Sequence, residues 1–229
     1  MPADKRAELL KNPGFGRVFS DHMVLQRRQA NPIWGWDTPG AKVTVKFAGQ
    51  THSATAGADG RWSVKLAALE ANATPQSLEI ACSSRRELKD ILVGEVWHAS
   101  GQSNMEWLAN KSLCSALARE IADAKDALPI REFRTDTVSA LYPQKRAKSE
   151  DGWKSSRAAG DFSALALAFA YELYKELKIP IGILLTSHSN TRIEAFTQRQ
   201  AIEAHPDLKV DADQMRDGDV SLEQGRAAF

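Results

Sequence analysis

Cysteine and charge of one sign are both scarce in this sequence. The two cysteines among its 229 residues, Cys82 and Cys114, have neither CxxC nor Cys/His spacing. This argues against a zinc site and leaves a disulfide as a geometric possibility beside buried or half-buried thiols. Thirty basic and 29 acidic side chains give a net charge of +1, too little for a global field that attracts nucleic acid or acidic membranes. We therefore predict no metal site, no cofactor and no nucleic-acid partner.

A long apolar run is also absent. Residues 1–10 alternate charged with apolar side chains, unlike the continuous apolar core of a signal peptide, and no later stretch is long enough to span a membrane. We expect a soluble chain without a visible export signal and without a membrane partner. What is present is a hydrophobic fraction of 43%, which is enough to build the cores of one or two domains.

The pattern of side chains changes near residue 90 and predicts two domains. After a short N-terminal segment, residues 1–14, the stretch 15–90 contains short runs that alternate apolar with polar residues. Turn residues separate these runs, and Asp59-Gly60 is the strongest hairpin signal among them. We predict a small antiparallel β-sandwich with strands at 31–36, 42–49, 61–66 and 77–81.

From residue 91 onward, apolar runs alternate with helical patterns. The three predicted strands are 91–96, 130–134 and 181–186. One helix is predicted at 112–125, and a second after Asp161, its expected N-cap. The apolar stripe predicted for the second helix is Phe162, Leu165, Phe169, Leu173 and Leu177. The alternation is typical of a doubly wound α/β domain with a parallel sheet, here 91–205, followed by a polar tail, 206–229.

The most informative feature is the turn that follows the first of these strands. The strand leads into Gly101-Gln102-Ser103-Asn104, where glycine allows a sharp bend and a helix is expected to follow. This order presents a serine hydroxyl at a strand end, with helix amides directed at it. We therefore predict that Ser103 is a nucleophile.

Four stretches of the chain resemble the signature motifs of sialate O-acetylesterases, a branch of the SGNH hydrolases. They are Phe-Ser-Asp-His-Met-Val-Leu-Gln-Arg at 19–27, Gly-Glu-Val-Trp at 94–97, Ser-Gly-Gln-Ser-Asn-Met-Glu-Trp at 100–107 and Thr-Arg-Ile-Glu-Ala-Phe-Thr at 191–197. The resemblance covers about residues 15–205. It implies a β-domain followed by a flavodoxin-like esterase domain, with removal of O-acetyl groups from sialic acids or related sugars. It also implies exported or lysosomal relatives.

The resemblance assigns roles to residues around the turn. Ser103 would form an acetyl-enzyme, and its own amide would donate to the oxyanion. A second donor comes in the family from a Trp-Gly-Gly-Thr loop, which aligns with 188–191, so that Ser189 and Asn190 replace both glycines. If this loop needs a positive φ, Asn190 accommodates it better than Ser189. Gln102 and Asn104 complete the predicted oxyanion and substrate-binding set.

The histidine base and its carboxylate partner have no counterpart in the chain. In the family a late Asp-x-x-His supplies them, whereas Ala204-His205-Pro206-Asp207 has the reverse order and the wrong spacing. His98 is expected to point away from the serine, which leaves His188 as the in-chain histidine to test as a surrogate base. We expect a C-terminally truncated chain whose missing segment, or a second chain, carries the Asp and His.

The same reasoning predicts an incomplete sheet and leaves two function classes open. A flavodoxin-like order of 2-1-3-4-5 would leave the third strand, 181–186, with an unpaired edge. The first function class is a carbohydrate O-acetylesterase that acts on an acetylated sugar. The alternative is a non-catalytic carbohydrate-binding or interaction fragment that retains the serine.

Overall fold

The computed structural model describes residues 14–137, 148–208 and 213. Its strands are β1 (Gly14–Phe15), β2 (Val24–Gln26), β3 (Asn31–Trp36), β4 (Lys42–Phe47), β5 (Gln50–Thr55), β6 (Arg61–Leu66), β7 (Asn72–Ala81), β8 (Arg85–Gly101), β9 (Ile130–Arg134), β10 (Trp153–Ser155) and β11 (Ile181–Ser187). The α-helices are α1 (Ser103–Glu106), α2 (Ser115–Asp123), α3 (Ala164–Leu177) and α4 (Arg199–Ala204). Residues 1–13 of the predicted N-terminal segment and most of the predicted tail, 206–229, lie outside the described residues.

The strands form two sheets, which give the molecule a mixed α/β fold with few helices. The smaller sheet is antiparallel, in the order β1-β3-β6. The larger one has eight strands, in the order β10-β9-β11-β8-β7-β4-β5, with β2 beside β8. Its β9, β11 and β8 are parallel, as the alternation of strands and helices predicted.

A single long strand joins the antiparallel and parallel parts of the large sheet. β8 has 17 residues and pairs first with β7 in antiparallel orientation and then, from Glu95 to Gly101, with β11 in parallel. The predicted strand at 91–96 is therefore the middle of a longer one. The predicted change of pattern at residue 90 lies within it.

The turn predicted to make a hairpin connects strands of different sheets instead. Asp59-Gly60 leads from β5, in the large sheet, to β6, in the small one, so the hairpin prediction is wrong. The hairpin of this region joins β4 to β5 through Ala48 and Gly49, both with positive φ (48° and 77°). The sequence pattern missed β5 because its six residues, Gln50–Thr55, are almost all polar.

Both sheets contribute to one hydrophobic cluster, and the helices pack into a second. Ile33 and Leu66 of the small sheet share the first cluster with Val45 and Leu78 of the large sheet, and all four are fully buried. The second cluster joins α2 and α3 to β9 and β11. Ile91, Leu92 and Val93 of β8 belong to the first cluster, and Ala99 packs against the second. One strand therefore reaches both cores.

The predicted N-cap of α3 is wrong. The Ser163 hydroxyl accepts a hydrogen bond from the Ala166 amide at 3.3 Å, while Asp161 ends the preceding 3₁₀ turn, Ser156–Asp161. The first predicted helix is also shorter than expected. α2 begins at Ser115 and ends at Asp123, within the predicted range 112–125.

Only part of the predicted apolar stripe of α3 faces the core: Phe162, just before the helix, is buried, and Leu173 packs against the second cluster. The buried residues of the helix are mainly small, Ala164, Ala166, Leu167 and Ala170, whereas Leu165 and Phe169 are 53% and 44% exposed. Alanines let the helix lie close to the sheet, so small side chains form most of its buried face, which a stripe of large apolar residues does not predict.

The third parallel strand is interior, which corrects the predicted open edge. Ile181–Ser187 pairs with both β8 and β9, so the chain order across the parallel part is second, third, first. Among the described residues, β8 beyond Gly94 pairs with β11 alone. Trp97, on this stretch, is 44% exposed and makes an edge-to-face contact with Phe169 at 5.2 Å.

Candidate active site

Two loops meet where the parallel strands end. Gly101 of β8 is opposite Ser187 of β11, and the His188 amide donates to the Gly101 carbonyl at 3.0 Å. The predicted nucleophile turn and the predicted oxyanion loop therefore lie side by side at the carboxyl edge of the sheet. This edge is where open α/β sheets bind ligands.

The turn that carries Ser103 depends on glycine. Gly101 has a φ of +147°, a conformation that L side chains rarely adopt. A Cβ added there would lie 3.5 Å from Met105 Cβ, so space is sufficient and the backbone conformation itself selects glycine. The chain then enters α1, and Ser103 is its first residue, half-buried rather than packed into the core.

No side chain among the described residues makes a hydrogen bond with the Ser103 hydroxyl. All five histidines of the chain lie within those ranges. His98 Nε2 is 2.5 Å from Thr186 Oγ1, and His22 Nδ1 is 2.6 Å from Asp90 Oδ2. His188, the predicted surrogate base, joins the site through its backbone amide only. The observed arrangement therefore holds a serine without a base.

Asn190 takes the strained conformation in the second loop. Its φ is +59°, in the left-handed region, whereas Ser189 keeps a negative φ. This is the distribution that the residue types predict, because a short amide side chain tolerates that region better than most others. The Ser189 hydroxyl instead donates to the Glu106 carboxylate, at the last residue of α1.

Gln102 and Asn104 flank Ser103 with exposed side chains. The Gln102 carbonyl accepts from the Met105 amide at 2.8 Å and so starts the helical turn. Both side chains are thus on the solvent side of the turn. Their predicted role in substrate binding stays a prediction.

An ion pair between the buried Glu132 and the half-buried Arg134 supports the turn from β9, and sequence reasoning missed it. Glu132 accepts from the Ser163 amide at 2.9 Å and from Arg134 Nη2 at 3.2 Å. Arg134 Nη1 donates to the Glu106 carbonyl at 3.5 Å. Burial raises the pKa of Glu132 although the Arg134 charge opposes that shift. The one available signal was three charged residues in a buried five-residue strand, whose apolar members are Ile130 and Phe133.

The motif stretches at 19–27 and 94–97 contact each other along β8, the strand that leads to Ser103. Arg27 Nε is 2.6 Å from Glu95 Oε1, and the Val96 amide donates to Gln26 Oε1 at 2.7 Å. These contacts attach residues 19–27 to β8 near Gly94, several residues before the turn. The contacts of the motifs at 19–27 and 94–97 therefore hold the strand in place, whereas the predicted site residues lie at 100–107 and 188–191.

Metal-binding side chains do not cluster in the part of the chain that the structure describes, where no three His, Cys, Asp or Glu residues come together. Cys82 and Cys114 are both half-buried free thiols. Of the helices within residues 14–137 and 148–208, none is long and apolar enough to cross a membrane.

Comparison with known proteins supports the resemblance seen in the motifs. The chain is 30% identical over 213 residues to sialate O-acetylesterase of Rattus norvegicus and 30% identical over 214 residues to that of Homo sapiens. Both matches cover 83% of this chain but only 38% and 40% of the relatives, so the chain spans about two fifths of their length. No family model matches the chain.

A solved structure has a similar fold. A carbohydrate acetylesterase from Xanthomonas citri superposes with a TM-score of 0.76 at 34% sequence identity. The match covers 85% of this chain and 44% of that one. The curated relatives confirm the predicted relationship to sialate O-acetylesterases, and the solved structure shows similarity to a carbohydrate acetylesterase.

Proposed function

We propose that this chain, a homologue of sialate O-acetylesterases over four fifths of its length, carries the nucleophile of a serine esterase. Its substrates would be sialic acids or related sugars that bear O-acetyl groups. The observation that carries the proposal is the position of Ser103, half-buried at the start of α1 and beside the Asn190 loop. A hydroxyl in that position is open to an acyl group.

The reaction would follow the acyl-enzyme route. Ser103 Oγ attacks the acetyl carbonyl, and the tetrahedral oxyanion accepts hydrogen bonds from the Ser103 and Asn190 amides. A base takes the Ser103 hydroxyl proton and gives it to the departing sugar oxygen, and the same base then takes a proton from the water that hydrolyses the acetyl-enzyme. One such oxyanion donor contributes about 3 to 4 kcal/mol to transition-state stabilisation. Gln102, Asn104 and the Ser189 backbone would contact the sugar or its acetyl group.

The base for this reaction would come from another polypeptide segment, either of the same protein or of a second chain. Within the described ranges none of the five histidines is hydrogen-bonded to Ser103. The relatives are more than twice as long as their match to this chain, which leaves ample sequence for a histidine and a carboxylate. Without that segment we expect little or no ester turnover.

The proposed architecture has two parts. Residues 15–90 would form a β-sandwich, which the shared hydrophobic cluster of the two sheets supports. Residues 91–205 would form the first part of an SGNH-type, flavodoxin-like domain. Residues 1–14 and 206–229 would be a leading segment and a polar tail.

Chemical rescue tests the nucleophile. Imidazole should replace the missing base, so adding it should raise the rate at which a fluorophosphonate probe modifies Ser103, measured by mass spectrometry of the peptide that contains it. Ser103→Ala should lose this adduct, and Ser112→Ala, which changes a hydroxyl bonded to the Ala109 carbonyl, should retain it. Modification that imidazole does not accelerate would contradict the proposal.

The lack of a base among the described residues favours one alternative, a non-catalytic carbohydrate-binding or interaction fragment. In that case the probe would ignore Ser103 even with imidazole present. Binding of an acetylated sugar, followed by NMR titration of the same chain, would then remain the measurable activity.

A further inference from the structure

We propose that Glu106 and Ser189 are positioning residues that hold the oxyanion loop at a fixed distance from the nucleophile. The inference rests on the function proposed above and extends it to residues that do not touch substrate. The Ser189 hydroxyl donates to the Glu106 carboxylate. Glu106 is three residues after Ser103, and Ser189 directly precedes Asn190.

This hydrogen bond links the side chains of the two loops that form the site. Among the described residues, no other side-chain hydrogen bond joins 101–107 to 188–191. The remaining connection is the backbone bond from the His188 amide to the Gly101 carbonyl, at the base of both loops. The Ser189 link lies beyond it and fixes the outer part of the loop. A hydrogen bond to an ionised carboxylate is stronger than one between neutral groups.

The helix that carries Ser103 needs such support. α1 has only four residues, and none of them is buried. On its other side, Arg134 donates to the Glu106 carbonyl at 3.5 Å, and Ser163 Oγ lies 3.5 Å from Met105 Sδ. Glu106 therefore joins α1 to two neighbours: its backbone carbonyl accepts from Arg134 of β9, and its carboxylate accepts from Ser189 of the loop.

The loop needs the link for a separate reason. Asn190 is in the left-handed region, which asparagine tolerates better than most residues but which only glycine adopts without a steric cost. A tether on the preceding residue restricts the loop to the conformation in which the Asn190 amide can point toward the acyl oxygen. Loss of the tether would let the loop relax away from Ser103.

A double-mutant cycle tests this coupling in the full 229-residue chain. Ser189→Ala and Glu106→Ala should each raise the hydrogen-exchange rate of the amides at 188–191 about tenfold, the loss expected for a hydrogen bond to a charged group. The double variant should show no further increase, because either change alone removes the bond. Ser189→Thr, which retains a hydroxyl, should restore slow exchange.

The imidazole-dependent modification of Ser103 gives the functional readout. Its rate should fall together with loop protection in both single variants and recover in Ser189→Thr. Thr197→Val is the matched control, since its hydroxyl bonds only to the Ile193 carbonyl farther along the chain. Exchange rates that stay unchanged, or that increase additively in the double variant, would overturn the coupling. If exchange is coupled but Ser103 is never modified, the tether stands and the esterase proposal fails.

Discussion

At the scale of single residues, backbone conformation connects sequence to site most directly. Gly101 and Asn190 both have positive φ, at +147° and +59°, and they lie at the two loops that meet beside Ser103. Both could be predicted, because the allowed φ depends on the residue itself. The partner of Ser189 could not, because a hydroxyl carries no information about which carboxylate it will reach. Only the adjacency of β8 and β11 brings Glu106 to it.

Asp37 gives a prediction about pH. This buried carboxylate accepts hydrogen bonds from the Thr38 amide at 2.6 Å, the Ser83 amide at 2.7 Å and the Ser83 hydroxyl at 2.5 Å. Burial alone would raise its pKa, but these bonds, chiefly those from Ser83, outweigh burial and hold the pKa below the ordinary value. The stabilisation is therefore complete above the unfolded-state pKa, near 4, and is lost as the pH falls through the lower folded-state pKa.

We expect Asp37→Asn to lower the free energy of unfolding at pH 7 by about 1 to 3 kcal/mol and to flatten its decline in acid. Urea unfolding at a series of pH values between 7 and 3 measures both effects. Asp59→Asn, at an exposed turn, should keep the acid slope of the parent. A parental slope in Asp37→Asn would contradict the assignment.

At the scale of elements, the close approach of chains matters more than periodicity. A Cβ on Gly94 would lie 2.0 Å from the Pro180 carbonyl oxygen, so β8 passes the start of β11 where only glycine fits. Small side chains also form most of the buried face of α3, which is rich in alanine, while Leu165 and Phe169 remain exposed. Periodicity located the helix correctly, but it did not predict that small side chains would form most of the buried face.

The N-cap of α3 gives a second prediction. Ser163→Ala removes the acceptor for the Ala166 amide and should lower the free energy of unfolding by about 1 kcal/mol. Asp161→Ala, at the position that the sequence alone favoured, should change it by less than about 0.5 kcal/mol. Thermal or urea unfolding of both variants distinguishes the two caps. A larger loss in Asp161→Ala would restore the sequence-based assignment.

At the scale of the whole molecule, β8 makes the two cores interdependent. Its first part contributes residues to the cluster between the sheets. Its second part pairs with β11, and Ala99 there packs against the cluster that includes the helices. A strand that belongs to both cores cannot separate from one without exposing backbone in the other. We therefore expect the described parts to unfold together.

Leu66→Ala tests this cooperativity. Leu66 is fully buried in β6, in the cluster remote from α2 and α3, and its truncation should cost about 2 to 5 kcal/mol. If the molecule is cooperative, the helical signal in far-ultraviolet circular dichroism should shift to lower urea by the same amount as tryptophan fluorescence. Leu113→Ala, at a fully exposed leucine, should shift neither. A helical transition that keeps its parental midpoint would show independent units.

The sequence by itself determined what depends on neighbours along the chain. It located most strands, including 130–134, and the glycine-led turn before Ser103, and it indicated that Asn190 rather than Ser189 would accommodate a positive φ, because periodicity and allowed φ are local properties. The tertiary structure alone decided that Asp59-Gly60 joins two sheets, that β11 lies between β8 and β9, and that Glu106 reaches Ser189. Those outcomes depend on which distant segments pack together, and that is set by the summed burial of many side chains rather than by any one of them.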